Sequence, residues 1–450
     1  MALEGEGVGR TGNPSGKVAF VPYTLPGEKI ETELRQEKRS FDRCLPINVV
    51  QASVHRVAPR CLHHFQIGQK TLWCGGCDWQ HIETSHQLEI KRTLIKETLE
   101  KLGGLKDPPV EPVVPSPVSW RYRNKVQVPF AKRGNRIVSG FYAPGSHTIV
   151  EFDDCVAQPE RVVQLVKFVK EYAAKNHWSP YDQDRHAGWL RHILVRTNEA
   201  GQALVVLVTK APPFPGKNVF TAALHNQFPW VFGIHQNVQP AQTNVILGNH
   251  WVRLWGNSYL EEEICGLSIE YAPASFFQVN TKAAEFLYQN AIKEVQCDSA
   301  TLVLDLYCGV GCMTLLAAKE TKHAVGVEMS ASSIRDAKKN AQRNNLRNVD
   351  FLEMSAEQFF RSERFHWLKK NAGEVKVLVD PPRSGCEPHI LYSLLSLGPK
   401  RIVYVSCNPA TLARDVKILS KNYRLQKVIP VDLFPQTSHI ESISSLERTT

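Results

Sequence analysis

From residue 301 onward, short apolar runs alternate with amphipathic stretches. The runs cover 301–307, 323–328, 349–353, 375–380, 400–406 and 424–432. Residues 332–340, between the second and third runs, have helical spacing and hydroxyl residues to cap the start. This alternation predicts an α/β unit over 284–450, a doubly wound, Rossmann-like sheet. The pattern nearer the N-terminus is different. Within 1–57, glycines and prolines separate the β-rich runs 17–22, 29–34 and 48–50, which predicts a small β-barrel. Residues 83–102 predict an amphipathic helix that stops at Gly103-Gly104. A proline-rich connector, 108–117, then leads into mixed α+β sequence, so 58–283 reads as a middle domain.

The chain has 450 residues, too many for one core, which agrees with three units. Its apolar fraction, 43%, is that of an ordinary globular protein. The net charge of +10 favours a polyanionic partner, nucleic acid or a membrane surface. No apolar run approaches the roughly 20 residues needed to span a bilayer. The first residues, Met1-Ala2-Leu3-Glu4-Gly5-Glu6-Gly7, resemble neither a signal peptide nor an Arg-rich transit peptide. A cytoplasmic chain is therefore expected. There its 11 cysteines stay reduced, and clustered ones point to metal.

Two segments carry candidate chemistry. In Leu304-Asp305-Leu306-Tyr307-Cys308-Gly309-Val310-Gly311, glycines between a strand and a helix let a ligand approach the backbone. Glu328 ends the next strand, where its carboxylate can accept from both hydroxyls of a ribose. NAD and S-adenosylmethionine both suit this arrangement. Thr314 stands where a dinucleotide fingerprint has its third glycine, which favours the methyl donor. Asp380-Pro381-Pro382-Arg383 follows a later strand as a stiff loop poor in N–H groups, suited to holding a planar ring. Arg383 stands where methyltransferases of exocyclic amines commonly carry an aromatic residue, which counts against that chemistry.

The second segment is Ser406-Cys407-Asn408-Pro409, after the apolar run Arg401-Ile402-Val403-Tyr404-Val405. A cysteine at the carboxyl end of a strand in such a sheet is a candidate nucleophile. Cys308, Cys312 and Cys386 are rivals for that role. Methylation of uracil at C5 needs one thiolate, to add at C6, and one base, to remove the C5 proton. Glu441 suits the base. It follows Phe434-Pro435-Gln436-Thr437-Ser438-His439-Ile440, and His439 is its rival.

Elsewhere, Cys61, Cys74 and Cys77 form C-x12-C-x2-C, and Cys155 is a candidate fourth ligand. Four thiolates suit tetrahedral zinc or an iron–sulfur cluster, and His63 and His64 keep mixed zinc ligation open. Cys44, Cys265 and Cys297 read as structural. Arg121, Arg123, Lys125, Lys132, Arg133 and Arg136 interleave with Trp120, Tyr122, Phe130, Phe141 and Tyr142, without an acidic residue between 112 and 150. Cations that pair with phosphates and rings that stack on bases make this a candidate RNA surface.

Residues 401–415, RIVYVSCNPATLARD, resemble the nucleophile motif of the RNA uracil-5-methyltransferase family. Residues 275–280, 304–311, 380–385 and 432–441 extend the resemblance to nearly the whole chain. It is greatest to the branch that acts on 23S rRNA. The resemblance implies that Cys407 attacks C6 and Glu441 takes the C5 proton. It places Gln278, Tyr307, Glu328 and Asp380, with Gly309, around S-adenosylmethionine or the target base. It also implies a 4Fe–4S cluster on Cys61, Cys74, Cys77 and Cys155, and a TRAM-like RNA-binding barrel at the N-terminus. Asparagine is frequent in the family where Cys312 and Ser355 stand. The barrel and the cysteine cluster together favour 23S rRNA over tRNA, and the protein is expected to act as a monomer. A tRNA uracil-5-methyltransferase and a non-catalytic RNA-binding or assembly factor are the alternatives.

Overall fold

The computed structural model describes residues 1–12, 16–69, 71–371 and 373–449. Its C-terminal sheet has seven strands, in the spatial order Val349–Glu353, His323–Glu328, Leu302–Leu306, Val375–Val379, Arg401–Ser406, Glu441–Arg448 and Tyr423–Val431. Only Glu441–Arg448 runs antiparallel to its neighbours. Every residue of Val375–Val379 and of Arg401–Ser406 is buried. Helices cover both faces of the sheet, so these strands have no polar side to alternate with. Strand order reverses beside Leu302–Leu306, and the carboxyl ends of the strands open a crevice there.

One face of the sheet packs against the helices Pro388–Leu397, Pro409–Leu419 and Thr84–Lys101. The opposite face packs against Thr281–Val295, Cys312–Ala318, Ala331–Arg343 and the hairpin Leu260–Ile264/Leu267–Tyr271. This changes the expected division at residues 57 and 283. Ile90, Leu94, Ile95 and Leu99 of Thr84–Lys101 bury their apolar side in the C-terminal core. Leu260, Ile264, Leu267 and Ile269 do the same on the other face. Both elements fall within the expected middle domain, yet their apolar surface is satisfied by the C-terminal sheet.

The middle domain is built on a second seven-stranded sheet. Its order is His250–Gly256, Val231–Val238, Ala203–Thr209, Leu190–Thr197, Lys125–Arg133, Arg136–Tyr142 and Ile149–Glu151. Helices Glu160–Lys175 and Lys217–Gln227 complete its core. The N-terminal strands order as Gly7–Arg10, Val18–Val21, Phe41–Gln51 and Lys29–Glu37, a barrel-like sheet. Three irregularities of register between Lys29–Glu37 and Phe41–Gln51 bend it. Among the described residues, no helix is long and apolar enough to cross a membrane.

Candidate active site

The crevice is lined by Phe276, Phe277, Tyr288, Tyr307, Gly309 and Asp380, among others, around a cavity of about 40 Å³. The chain turns sharply after Leu302–Leu306. Tyr307, Gly309 and Gly311 all have positive φ, 68°, 54° and 90°. For Tyr307 that conformation is strained, and Tyr307 N–H fixes it by donating to Val327 O at 2.9 Å. A Cβ on Gly311 would lie 2.8 Å from the Phe351 ring, so only glycine fits there. A Cβ on Gly309 would meet nothing within 4 Å, so its backbone faces open space. Glu328 accepts from Gly309 N at 3.3 Å and Ser330 N at 2.8 Å, which fixes its carboxylate at the rim.

Asp305 is not singled out by the sequence pattern. It lies beneath this turn, fully buried, with Oδ2 accepting from Thr314 Oγ1 at 2.6 Å. Its Oδ1 has no hydrogen-bond partner among the described residues. Burial, opposed by the Thr314 bond, pushes its carboxyl up to about 7. The available signal was an acid inside the apolar run 301–307. An orphaned buried oxygen, an open glycine backbone and a fixed rim carboxylate fit the ammonium, main body and ribose of S-adenosylmethionine.

Cys407 sits in the turn between Arg401–Ser406 and Pro409–Leu419. Ser406 Oγ accepts from Asn408 N at 3.1 Å, and Asn408 Oδ1 caps the helix by accepting from Ala410 N at 3.0 Å. Pro409 starts the helix without the N–H it would otherwise leave unpaired. Asn408 Nδ2 and Thr411 Oγ1 donate to Arg383 O at 3.1 and 3.3 Å, which ties this turn to the Asp380–Arg383 loop. Burial, then the charges of Glu441 and Asp380, push the Cys407 thiol up to about 11, against the pull of Arg383. Burial, with Asp380 nearby, also holds Glu441 well above the ordinary carboxylate range. Asp380 itself is pushed up to about 7 by burial. The structure thus brings Cys407, Glu441, Asp380 and Arg383 together. His439 is held low, to about 4, chiefly by burial, so it is neutral near pH 7.

Glu441 follows a loop clamped by residues far away in sequence. Gln436 N donates to Gln87 Oε1 at 3.0 Å, and Gln87 Nε2 donates to Gln436 Oε1 at 3.1 Å. Lys91 Nζ, fully buried, reaches Asp432 Oδ1 at 2.7 Å and Phe434 O at 3.2 Å. Asp78 Oδ1 accepts from Ser438 N at 3.0 Å, and Tyr122 OH donates to Pro435 O at 3.1 Å. Ser355 acts locally, where its hydroxyl accepts from Gln358 N and closes a capping box on Ala356–Phe360. Cys312 lines the crevice, and Gln278 follows Phe277, which does so too.

Cys61, Cys74, Cys77 and Cys155 surround one cavity of about 30 Å³. Burial pushes all four thiols up, Cys74 and Cys77 to about 12. Among the described residues, no three Cys, His or carboxylate groups converge on a single-ion site. Four thiolates on one zinc would lie within about 4 Å of one another. Arg123 also lines the cavity, and its Nε has no hydrogen-bond partner among the described residues. Arg123 is half-buried and lines the thiol cavity, so its place differs from the open RNA surface expected of it. Arg121 pairs with Asp154 at 2.8 Å beside Cys155, and burial lowers Lys125 to about 8. Lys132, Arg133 and Arg136 keep the exposure that the RNA-surface expectation requires.

Residues 255–449 match the family model described as tRNA (Uracil-5-)-methyltransferase. An uncharacterized RNA methyltransferase of Halalkalibacterium halodurans is 36% identical, covering 99% of this chain and 95% of its own. One from Clostridium tetani is 38% identical, with 98% and 94% covered. The crystal structure of Pyrococcus abyssi tRNA (uracil-54, C5)-methyltransferase in complex with S-adenosyl-L-homocysteine matches with a TM-score of 0.75 and 27% identity. That match covers 98% of this chain and 99% of the neighbour. A tRNA enzyme can therefore share this whole architecture, and the N-terminal sheet and middle domain do not by themselves separate rRNA from tRNA. With these relatives along its length and a crevice suited to the methyl donor, the chain belongs to the S-adenosylmethionine-dependent RNA uracil-5-methyltransferase family.

Proposed function

We propose that this protein methylates C5 of a uridine in 23S rRNA through a covalent bond between Cys407 and C6. The observation that carries the mechanism is the meeting of Cys407 and Glu441 beside Asp380, at the cofactor crevice. Bound S-adenosylmethionine supplies an electrophilic methyl group. Gly309, Glu328 and Asp305 would hold it, and Tyr307 and Gln278 would border it or the base. Cys407, as thiolate, bonds to C6, and the C5–C6 π electrons move to O4 as an enolate. C5 would then have the carbanion character needed to bond to the methyl carbon, as that carbon's bond to the sulfonium sulfur breaks and S-adenosylhomocysteine leaves. The Glu441 carboxylate takes the proton from C5, and the C6–S bond breaks to restore the double bond and the thiolate. The raised affinity of Glu441 for a proton suits a general base. Arg383 supports the thiolate with a positive charge that acts on both groups.

The 4Fe–4S reading rests on the family resemblance and on the one cavity that all four cysteines line, where half-buried Arg123 offers a positive charge to a negatively charged cluster. The methylation scheme asks no chemistry of it, and its role is structural. Protein purified without oxygen should contain iron. Stoichiometric zinc without iron would favour the other reading.

The 23S rRNA assignment rests on motif resemblance. The Pyrococcus abyssi structure favours tRNA as a second reading. Mapping 5-methyluridine in both RNAs from cells lacking the protein separates them. RNA containing 5-fluorouridine tests the mechanism, because fluorine at C5 blocks elimination and leaves the adduct on Cys407. An adduct that forms equally on Cys407→Ala would refute the assignment. No adduct with any cellular RNA would favour the non-catalytic factor.

A further inference from the structure

A second cavity lies on the middle domain, away from the crevice. Its volume is about 410 Å³, within the range of small-molecule sites, and polar and apolar groups share its wall. Lys132, Tyr142, His147, Tyr181, Arg191 and His192 carry the argument. The strand Leu190–Thr197 has a register shift between Leu190 and His192, opposite Thr209 and Val208. Arg191 is the extra residue. Such a bulge re-aims a side chain, and Arg191 and His192 both line the groove despite being consecutive.

Arg191 is buried, with its guanidinium 4.1 Å over the Tyr181 ring and Nη1 donating to Gln239 O and Ala241 O. Its Nε has no partner among the described residues, nor does buried Nδ1 of His192. Burial and the neighbouring Arg191 charge lower His192 to about 4, so the imidazole is neutral at pH 7. Two acids stand at the groove. Asp182 is engaged, accepting from Asp184 N and Arg185 N at 3.0 Å each, while Asp184 is exposed. Lys132 is exposed and has no ion pair among the described residues. The Tyr142 and His147 rings meet edge-on at 5.5 Å.

We infer that this groove holds one unpaired nucleotide of the substrate RNA, with its base against Tyr142 and His147 and its phosphate at Lys132. The unspent nitrogens of Arg191 and His192 face the base. This deepens the methyltransferase reading and rests on it. The strand Lys125–Arg133 links the two sites: Asn124, before it, donates to Gln278 O at 2.8 Å, while Pro129 to Lys132 line the groove. At about 3.3 Å per residue, the groove starts roughly 16 Å along the strand from Asn124. A chain of RNA can cover that span and place both a target base and a neighbouring base.

The test uses the full chain and a labelled single-stranded oligouridylate. Lys132→Glu should weaken binding about tenfold and flatten the log–log salt slope by about 0.7 or more. His192→Leu should weaken it about threefold with an unchanged slope, because no charge is lost at neutral pH. S-adenosylhomocysteine affinity and melting temperature should stay constant in both. Wild-type affinity and slope in the folded variants overturn the proposal. A second measurement does not depend on variant folding. Oligonucleotides with 4-thiouridine should photo-crosslink unsubstituted protein within peptides bearing Tyr142, His147 or Tyr181. Crosslinks confined to other peptides overturn it. Unsubstituted protein that neither binds the oligonucleotide nor forms the 5-fluorouridine adduct overturns the methyltransferase reading too. Adduct formation without groove crosslinks overturns the groove alone.

Discussion

The proposed methyl-transfer site and the cysteine cavity both bury acidic groups, but different scaffolds hold them. Tyr307, Gly309, Asp380 and Cys407 follow parallel strands of one sheet, Glu328 ends another, and Glu441 begins the antiparallel member. The sheet's ladder fixes them before any ligand arrives. The cysteines sit on loops joined by scattered bonds, such as Gly75 N to Tyr142 O at 3.0 Å and Cys61 N to Gln80 Oε1 at 2.9 Å. A sheet organises its site in advance, whereas a set of loops relies on what it binds to hold its shape. The regions are also connected. Asp78, next to Cys77, binds the loop that delivers Glu441.

The largest effects should come from the sheet-held pair. Cys407→Ala should abolish turnover and the 5-fluorouridine adduct, while S-adenosylhomocysteine still binds. Glu441→Gln should lower turnover by about 10²–10⁴ and accumulate a methylated adduct on ordinary uridine RNA, because addition survives and elimination does not. Gel-shifted adduct and single-turnover product measure the two steps separately. Product released by Glu441→Gln at the unsubstituted rate would remove it as the base.

Breaking the cysteine cavity should affect stability more than cofactor binding. If it holds a cluster, Cys74→Ser with Cys77→Ser should lose the iron and about 4 kcal/mol or more of stability. The crevice should keep its affinity for S-adenosylhomocysteine in protein that stays folded. Iron content, melting temperature and calorimetric titration read these effects in one preparation. Unchanged stability in the double variant would mean that the loops hold themselves.

Lys91 sharpens the comparison because it bonds the Glu441 loop while its Nζ lies 5.8 Å from the ring of Trp79, two residues after Cys77. Lys91→Met leaves Asp432 buried without its cation, which should cost about 3–5 kcal/mol. Lys91→Met with Asp432→Asn should recover part of that. In the double variant the Glu441 loop still lacks the Lys91 bond to Phe434 O, so adduct should decay more slowly than it forms. Equal slowing of both steps would reduce Lys91 to a stabilising role.

These clamps also mark what the sequence could disclose. Apolar alternation located six strands of the C-terminal sheet, and residue type at strand ends marked Cys407 and Glu441 as candidates whose roles the family resemblance implies. The Gln87–Gln436 contact joins positions 349 residues apart, and no periodicity records such a pair. Asp305 lies in an apolar run whose sequence does not distinguish a fully buried acid from one on a polar strand face. Arg123 read as a surface cation because a basic, aromatic stretch has the same composition whether its charges face phosphates or thiols. Helix Thr84–Lys101 showed its apolar side but not which sheet would cover it.

The smallest expected effect concerns Arg383. It is exposed, yet its charge acts on both Cys407 and Glu441. Burial sets the Cys407 thiol to about 11, and Arg383 is the cation that offsets part of that rise. Alkylation of Cys407 by iodoacetamide should therefore climb with pH, about tenfold per unit, until it levels near that value. Replacing Arg383 with methionine removes the cation, raises the thiol's pKa further and leaves less thiolate at any lower pH. The rate at pH 8 should fall about threefold, a modest change because solvent screens an exposed charge. High salt should shrink the gap between the two proteins for the same reason. The cysteine cavity supplies the contrast: Arg123 there is half-buried with its Nε shielded from water, so its charge is screened less than that of exposed Arg383. A salt-independent difference at Cys407, or faster alkylation of Arg383→Met, would show that the arginine acts by position and not by charge.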